Sequence, residues 1–158
     1  NPTGSIYTHQ ELKALADVGV KGLKDSSGMH AQMSDYIVNV RPDHPDFVFF
    51  SGSAALLLPT LMLGGQGAVV GTGNAFPELV RDVYQLFQKG KYAEASEKQN
   101  MILKVRYLQG LDGFRPSSCY AMLRLRGVDA GTVRAPWREM AEDKVRTVEA
   151  ELKKLNLI

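Results

Sequence analysis

Three short apolar runs, each cut off by glycine or a turn, most constrain what this chain can fold into: Val18 to Lys24, Asp46 to Gly52 and Gly67 to Gly73. Between them the apolar residues recur at helical spacing. Thr8 to Asp17 opens on Thr8 with Glu11 three residues later, a capping-box pattern, and carries Leu12, Leu15 and Ala16 on one face. Met29 to Val40 puts Met33, Tyr36, Ile37 and Val40 on one stripe and is stopped by Pro42. Ser53 to Leu63 is helical in composition, with Pro59 expected to divide a first turn from the main segment and Gly64-Gly65 expected to stop it. After the third run Asn74 is expected to cap a helix that tolerates Pro77 in its first turn. That helix turns Leu79, Val80, Val83, Leu86 and Phe87 inward and ends at Gly90. Strands alternating with helices are the pattern of βαβ units in a parallel sheet, and Phe47-Val48-Phe49-Phe50 reads as a strand buried on both faces.

After Gly90 the strand signals stop. Lys91 to Gln109, Pro116 to Arg126 and Arg138 to Leu155 all read as helices, and the alternating charge from Glu139 to Lys154 reads as a solvated face with helix-spaced ion pairs. Residues 1–90 are therefore expected to form an α/β part and residues 91–158 an all-helical tail. Three strands cannot close a barrel, and a three-stranded parallel sheet leaves its edges open, so the missing strands are expected to come from elsewhere. Asn1-Pro2-Thr3-Gly4 reads as a loop with no initiating methionine, the start expected of a piece of a longer chain or a processed product.

Composition narrows the function classes. With 158 residues, 44% of them hydrophobic and 23% charged, the chain has enough apolar material for one core and shows no bias toward disorder. Its 19 basic and 17 acidic residues are interspersed, for a net charge of +2, which leaves no electrostatic footprint for a nucleic acid. The longest apolar run, Ala54 to Leu63, is too short to span a bilayer, and no membrane partner is expected. The single cysteine, Cys119, excludes an internal disulfide and any cysteine metal cluster, and His9, His30 and His44 are too scattered to form a metal site. With no signal peptide in view, the expectation is a cytoplasmic protein that needs neither metal nor cofactor.

Lys24 is the residue to which chemistry points. Along an extended strand Val20, Gly22 and Lys24 share one face while Lys21 and Leu23 take the other, and Asp25 points away from Lys24. Lys24 stands at the C-terminal end of its strand, the end that faces the active site in parallel α/β proteins. On these residues alone it is either a solvated strand-end lysine or a site lysine. Ser26 and Ser27 have the same double reading, as caps for the next helix or as hydroxyls for a substrate. Gly52 and Gly71 either clear space for a ligand or simply end strands. Thr72 and Asn74 fit a pocket wall, although Asn74 is equally a cap. Gly71 and Gly73 also permit a phosphate-binding reading. Tyr107, Phe114 and Trp137 are expected as core or subunit-packing aromatics, and Arg115 and Cys119 carry no functional signal.

Three motifs resemble one family. Gly22-Leu23-Lys24-Asp25-Ser26-Ser27-Gly28 is similar to the Schiff-base lysine signature of the dihydrodipicolinate synthase / N-acetylneuraminate lyase family, which are class I (β/α)8-barrel enzymes acting on pyruvate and other 2-oxo acids. Ser51-Gly52-Ser53 resembles the end of its seventh strand, and Gly64 to Asn74 its eighth. The resemblance covers essentially the whole chain. It implies the C-terminal half of a TIM barrel, strands six to eight followed by the all-helical tail, with the N-terminal half of the barrel as a partner and a homo-oligomer as the assembled form. It also implies that the family's tyrosine proton shuttle and its carboxylate-binding threonine or serine pair lie outside this sequence, since Tyr7 does not match that tyrosine. No arginine precedes Arg41, which argues against a dihydrodipicolinate synthase, and Ala54 and Ala55 stand where a sialic acid lyase has acidic residues.

The expected function is therefore a Schiff-base lyase or aldolase for pyruvate or a 2-keto-3-deoxy sugar acid. Lys24 is the catalytic residue, and Ser26, Gly52, Ser53, Val70, Gly71 and Thr72 are the substrate-binding positions. A lysine amine condenses with a ketone to an iminium, which draws in the electrons of the neighbouring carbon–carbon bond. Only the unprotonated amine attacks, and with an ordinary pKa of about 10.4 it needs desolvation or a nearby cation. Val20, Gly22 and an interior lined by Val69 or Val70 are expected to desolvate it. The alternatives are a non-catalytic half-barrel fragment or interaction module that folds by pairing with its other half, and a dihydrodipicolinate synthase.

Overall fold

The computed structural model describes residues 6–113 and 115–158. The Asn1 to Gly4 loop and Phe114 lie outside the described residues. The order of elements is α1 (His9–Asp17), β1 (Gly22–Asp25), α2 (His30–Val40), β2 (Val48–Ser51), α3 (Leu57–Met62), β3 (Gly67–Ala68), α4 (Thr72–Ala75), α5 (Pro77–Gln88), α6 (Tyr92–Gln109), α7 (Arg115–Leu125) and α8 (Glu142–Lys154). The strands form one parallel sheet in the order β1-β2-β3, with Lys24 opposite Phe50 and Phe50 opposite Gly67.

Local chemistry explains most boundaries. The capping box at α1 is complete, with the Thr8 hydroxyl accepting from Glu11 N–H at 3.2 Å and the Glu11 carboxylate accepting from Thr8 N–H at 2.7 Å. Those bonds hold the Glu11 carboxyl below the usual carboxylate range. Gly90 takes a positive φ of 70° just after α5, a conformation that only glycine adopts without strain. On α8 the charge pattern forms the expected ion pairs, Lys153 with Glu149 and Lys154 with Glu151, both at 2.6 Å.

Four expectations are corrected. The division in the third helix falls before Leu57, where a 3-10 turn at Ala54–Leu56 gives way to α3, and Pro59 sits in the first turn of α3. Gln99 on α6 secures that joint by donating to Ala54 O at 2.9 Å and accepting from Leu58 N–H at 3.0 Å. The third strand stops at Ala68, because β2 ends at Ser51 and its last carbonyl accepts Val69 N–H at 2.8 Å. Asn74 does not cap α5; it lies inside the extra turn α4, and α5 begins at Pro77 without a side-chain cap. The last helix starts at Glu142, four residues after Arg138.

Burial of β2 differs from expectation as well. Phe47 and Phe49 are buried, with ring centroids 5.2 Å apart, in a core shared with Leu12, Met33, Tyr36, Ile37 and Val40 of α1 and α2. Val48 and Phe50 on the opposite face are only half-buried, since three strands supply no second layer over it. Val20 and Val69 are also exposed, the latter at 56%. A larger core joins α3, α4 and α5 to the tail through Leu57, Phe76, Val83, Ile102, Met122 and Val148. Arg126 ties α7 to this body, donating to Ala75 O, pairing with Glu78 at 2.9 Å and lying 4.7 Å from the Phe76 ring centroid. No described helix is long and apolar enough to cross a membrane.

Candidate active site

Beyond the C-terminal ends of the strands, and bordered by α6 and α7, lies a half-open cavity of about 860 Å³. That volume lies in the range of about 300–1,000 Å³ typical of small-molecule sites. Of the residues singled out from sequence, Ser26, Ser27, Gly52, Ser53, Gly71, Thr72 and Asn74 line it.

Each position has a local cause. Asp25, 6% exposed, turns to the helix side of the sheet, where its carboxylate accepts from Ser27 N–H at 2.9 Å and from the Ser27 hydroxyl at 2.7 Å. Ser27 Oγ in turn accepts from Met29 N–H at 3.0 Å. Ser27 thus organises the turn into α2, whose N-cap residue Met29 supplies no side-chain cap. Ser26 is left on the other face, and its hydroxyl packs directly over Gly52, where any Cβ would collide with Ser26 Oγ and Cα. Gly52 is what lets β1 and β2 bring that hydroxyl to the cavity.

The floor behind Gly71 and Thr72 is a buried polar network. Thr72, 2% exposed, donates through Oγ1 to Gln109 Oε1 at 2.9 Å, and Gln109 Nε2 donates to Cys119 Sγ at 3.1 Å. Ser118 Oγ donates to Gln109 O at 2.8 Å. Thr72 therefore spends its hydroxyl on the scaffold. Burial pushes the Cys119 thiol upward, partly offset by the Gln109 hydrogen bond.

Lys24 is not among the residues lining the large cavity. It is exposed, lies on the open face of the sheet beside Gly22 and Phe50, and borders a cavity of about 260 Å³ along β1 together with Tyr7, Gln32 and Tyr36. Lys24 is the next-to-last residue of β1, and Ser26 follows directly after the strand. Val70 turns the other way and packs against the larger core, while Val69 is the valine on the open face. Tyr107 and Trp137 are 72% and 56% exposed, so neither is a core aromatic.

Sequence reasoning passed over Arg106, Gln109, Arg115, Cys119 and Tyr120, all of which border the large cavity. They lie far from the strand ends in sequence, and nothing in their local spacing separates them from ordinary helix residues. No group of three or more candidate metal ligands occurs among the described residues.

The dihydrodipicolinate synthetase family model matches residues 2–155. The chain is 34% identical over 157 residues to a 4-hydroxy-tetrahydrodipicolinate synthase of Archaeoglobus fulgidus, covering 99% of this chain and 53% of that protein. It is 32% identical to an uncharacterised DapA-like lyase of Halobacterium salinarum, covering 99% and 50%. Among solved structures, YagE of E. coli K12, a prophage protein of the dihydrodipicolinic acid synthase family in complex with pyruvate, superposes with a TM-score of 0.86 at 25% identity, covering 96% of this chain and 52% of that one. A 2-keto-3-deoxygluconate aldolase variant of Sulfolobus solfataricus shares the fold with a TM-score of 0.75 at 23% identity, covering 92% and 51%. The chain spans about half the length of the curated relatives it matches.

Proposed function

The chain belongs to the dihydrodipicolinate synthetase family, and from that premise we propose that it is the C-terminal half of a (β/α)8 barrel whose activity is that of a Schiff-base lyase or aldolase. In this reading β1, β2 and β3 are strands six, seven and eight within residues 1–90, and residues 91–158 are a helical extension. The substrate is pyruvate or a 2-oxo acid of the 2-keto-3-deoxy sugar acid type. Pyruvate is the compound bound in YagE. The assembled enzyme is a cytoplasmic homo-oligomer without metal or cofactor.

Lys24 is the nucleophile. Its amine attacks the ketone carbon, water leaves, and the resulting iminium accepts the electron pair of the bond between its α and β carbons as that bond breaks and the β-hydroxyl gives up its proton, giving an enamine and a carbonyl product. Protonation of the enamine carbon and hydrolysis of the iminium release pyruvate and return the amine. Ser26, Gly52, Ser53, Gly71 and Thr72 form the wall against which the 2-oxo acid lies, and Val70 contributes through its backbone. The observation that carries this reading is the place of Lys24 near the C-terminal end of β1, two residues before Ser26, which borders the cavity, in a chain that the family model matches over residues 2–155. The open face leaves Lys24 exposed, so the desolvation that a nucleophilic amine needs comes from the complementary half, together with the tyrosine that moves the proton. Lys24→Ala tests the proposal: carbon–carbon cleavage and borohydride-trapped adducts should both vanish while the circular dichroism spectrum stays unchanged. Full turnover by that variant would overturn it.

A second reading, a non-catalytic half-barrel that folds by pairing, is favoured by a sheet of three strands among the described residues and by the exposure of Val20 and Val69. Sedimentation discriminates, since a well-folded 17.4 kDa monomer counts against obligate pairing.

A further inference from the structure

The large cavity is polar in a directional way. Its strand-end wall includes the neutral residues Ser26 and Ser53, whereas its roof includes Arg106 from α6 and Arg115 from the start of α7. Among the described residues no aspartate or glutamate lines it. No ion pair or hydrogen bond among the described residues engages either guanidinium. The other arginines of α7 and its end behave differently, since Arg124 pairs with Glu139 at 3.1 Å and Arg126 with Glu78 at 2.9 Å. Arg106 is half-buried, and a guanidinium withdrawn from water without a carboxylate is stabilised by any anion that enters. Two like charges in a concave, carboxylate-free wall also focus the field on whatever occupies the cavity.

We infer that Arg106 and Arg115 recognise a second anionic group, so that the preferred 2-oxo acid is one whose far end carries a carboxylate or a phosphate. The inference rests on the reading of this cavity as a 2-oxo acid site and extends it to substrate class. The keto-acid end lies toward the strand wall above Lys24, and the distal anion lies toward the helical roof. The volume of about 860 Å³ is more than a three-carbon acid fills, which leaves room for such a tail. Arginine suits the role because its planar fork binds both carboxylate and phosphate through two parallel hydrogen bonds.

The test is equilibrium binding by calorimetry on the intact protein, with 2-oxoglutarate, phosphonopyruvate and the singly charged 2-oxopentanoate as probes. The dianions are expected to bind at least about tenfold tighter than 2-oxopentanoate, the loss of a charge-assisted hydrogen bond being of that size or larger. Arg106→Gln with Arg115→Gln should erase that preference, and the tighter of the two dianions identifies carboxylate or phosphate as the natural tail. Because the double variant could misfold, the unmodified protein supplies a second readout: the preference should shrink as salt rises from about 0.05 to about 0.5 M, over which the Debye length falls from about 14 Å to about 4 Å. Equal affinities, no binding of either dianion, a preference indifferent to salt, or one that survives both substitutions in a folded variant would each overturn the inference. A dianion preference that persists when no probe yields a borohydride adduct would instead overturn the Schiff-base reading and leave the anion-binding wall standing.

Discussion

The Thr72–Gln109–Cys119 network gives a prediction whose size follows from its hydrogen bonds. Gln109→Leu removes the acceptor for the Thr72 hydroxyl and the donor to Cys119 Sγ, while the bond from Ser118 to the backbone carbonyl of residue 109 survives. Thr72 is 2% exposed, so its orphaned hydroxyl has no water to turn to, and the cost is about 1–3 kcal/mol. Thr72→Val orphans Gln109 Oε1 instead, at a similar cost of about 1–3 kcal/mol. The double variant leaves neither group stranded. It should therefore be destabilised by at least about 1 kcal/mol less than the sum of the two single changes. Equilibrium unfolding in urea at neutral pH, with m unchanged across the four proteins, reads the cycle directly. Single-variant losses that add within about 0.5 kcal/mol would refute the claim that this network, rather than packing alone, fixes Gly71 and Thr72 against α6.

Three further outcomes are expected. Gly52→Ala should cost about 1–3 kcal/mol through the collision with Ser26 and weaken pyruvate binding in the same protein, as urea unfolding and calorimetry together would show; a neutral result would mean Ser26 is not held over Gly52. Thr8→Ala removes one half of the α1 capping box and should destabilise by about 0.5–2 kcal/mol at neutral pH. Since the folded Glu11 carboxyl is held below its ordinary range, the advantage over that variant is present above the ordinary range and should fade as pH falls through the lowered value, followed by thermal melts. Cys119 has the opposite sign: burial raises the folded thiol, so its contribution is complete below the ordinary thiol pKa of about 8.5 and is lost as pH rises toward the folded value. Cys119→Ala should remove that alkaline dependence from the melting curve.

What was legible in the sequence was local. Thr8 and Glu11 announced α1, and the stripe from Met33 to Val40 announced α2, because caps and periodicity are written within one turn of where they act. The short third strand was not legible, since Val69, Val70 and Thr72 favour extended structure and only the end of β2 at Ser51 stops the ladder. Burial of β2 on one face alone depends on what covers the sheet, which no pattern within Phe47 to Phe50 records. The site divided the same way. Spacing placed Ser26, Gly52 and Gly71 at strand ends, and the fold brings them to one cavity. Arg106 and Arg115 reach it only because α6 and α7 pack across those ends, a consequence of the larger core rather than of any motif.

Peptide mapping of the intact protein after borohydride reduction in the presence of pyruvate tests the central claim most directly. The account predicts one added pyruvate-derived group, carried by Lys24 and absent from Lys21, three residues earlier and just before β1. An adduct on Lys21, one spread over surface lysines, or none at all in a folded and fully assembled protein would contradict it.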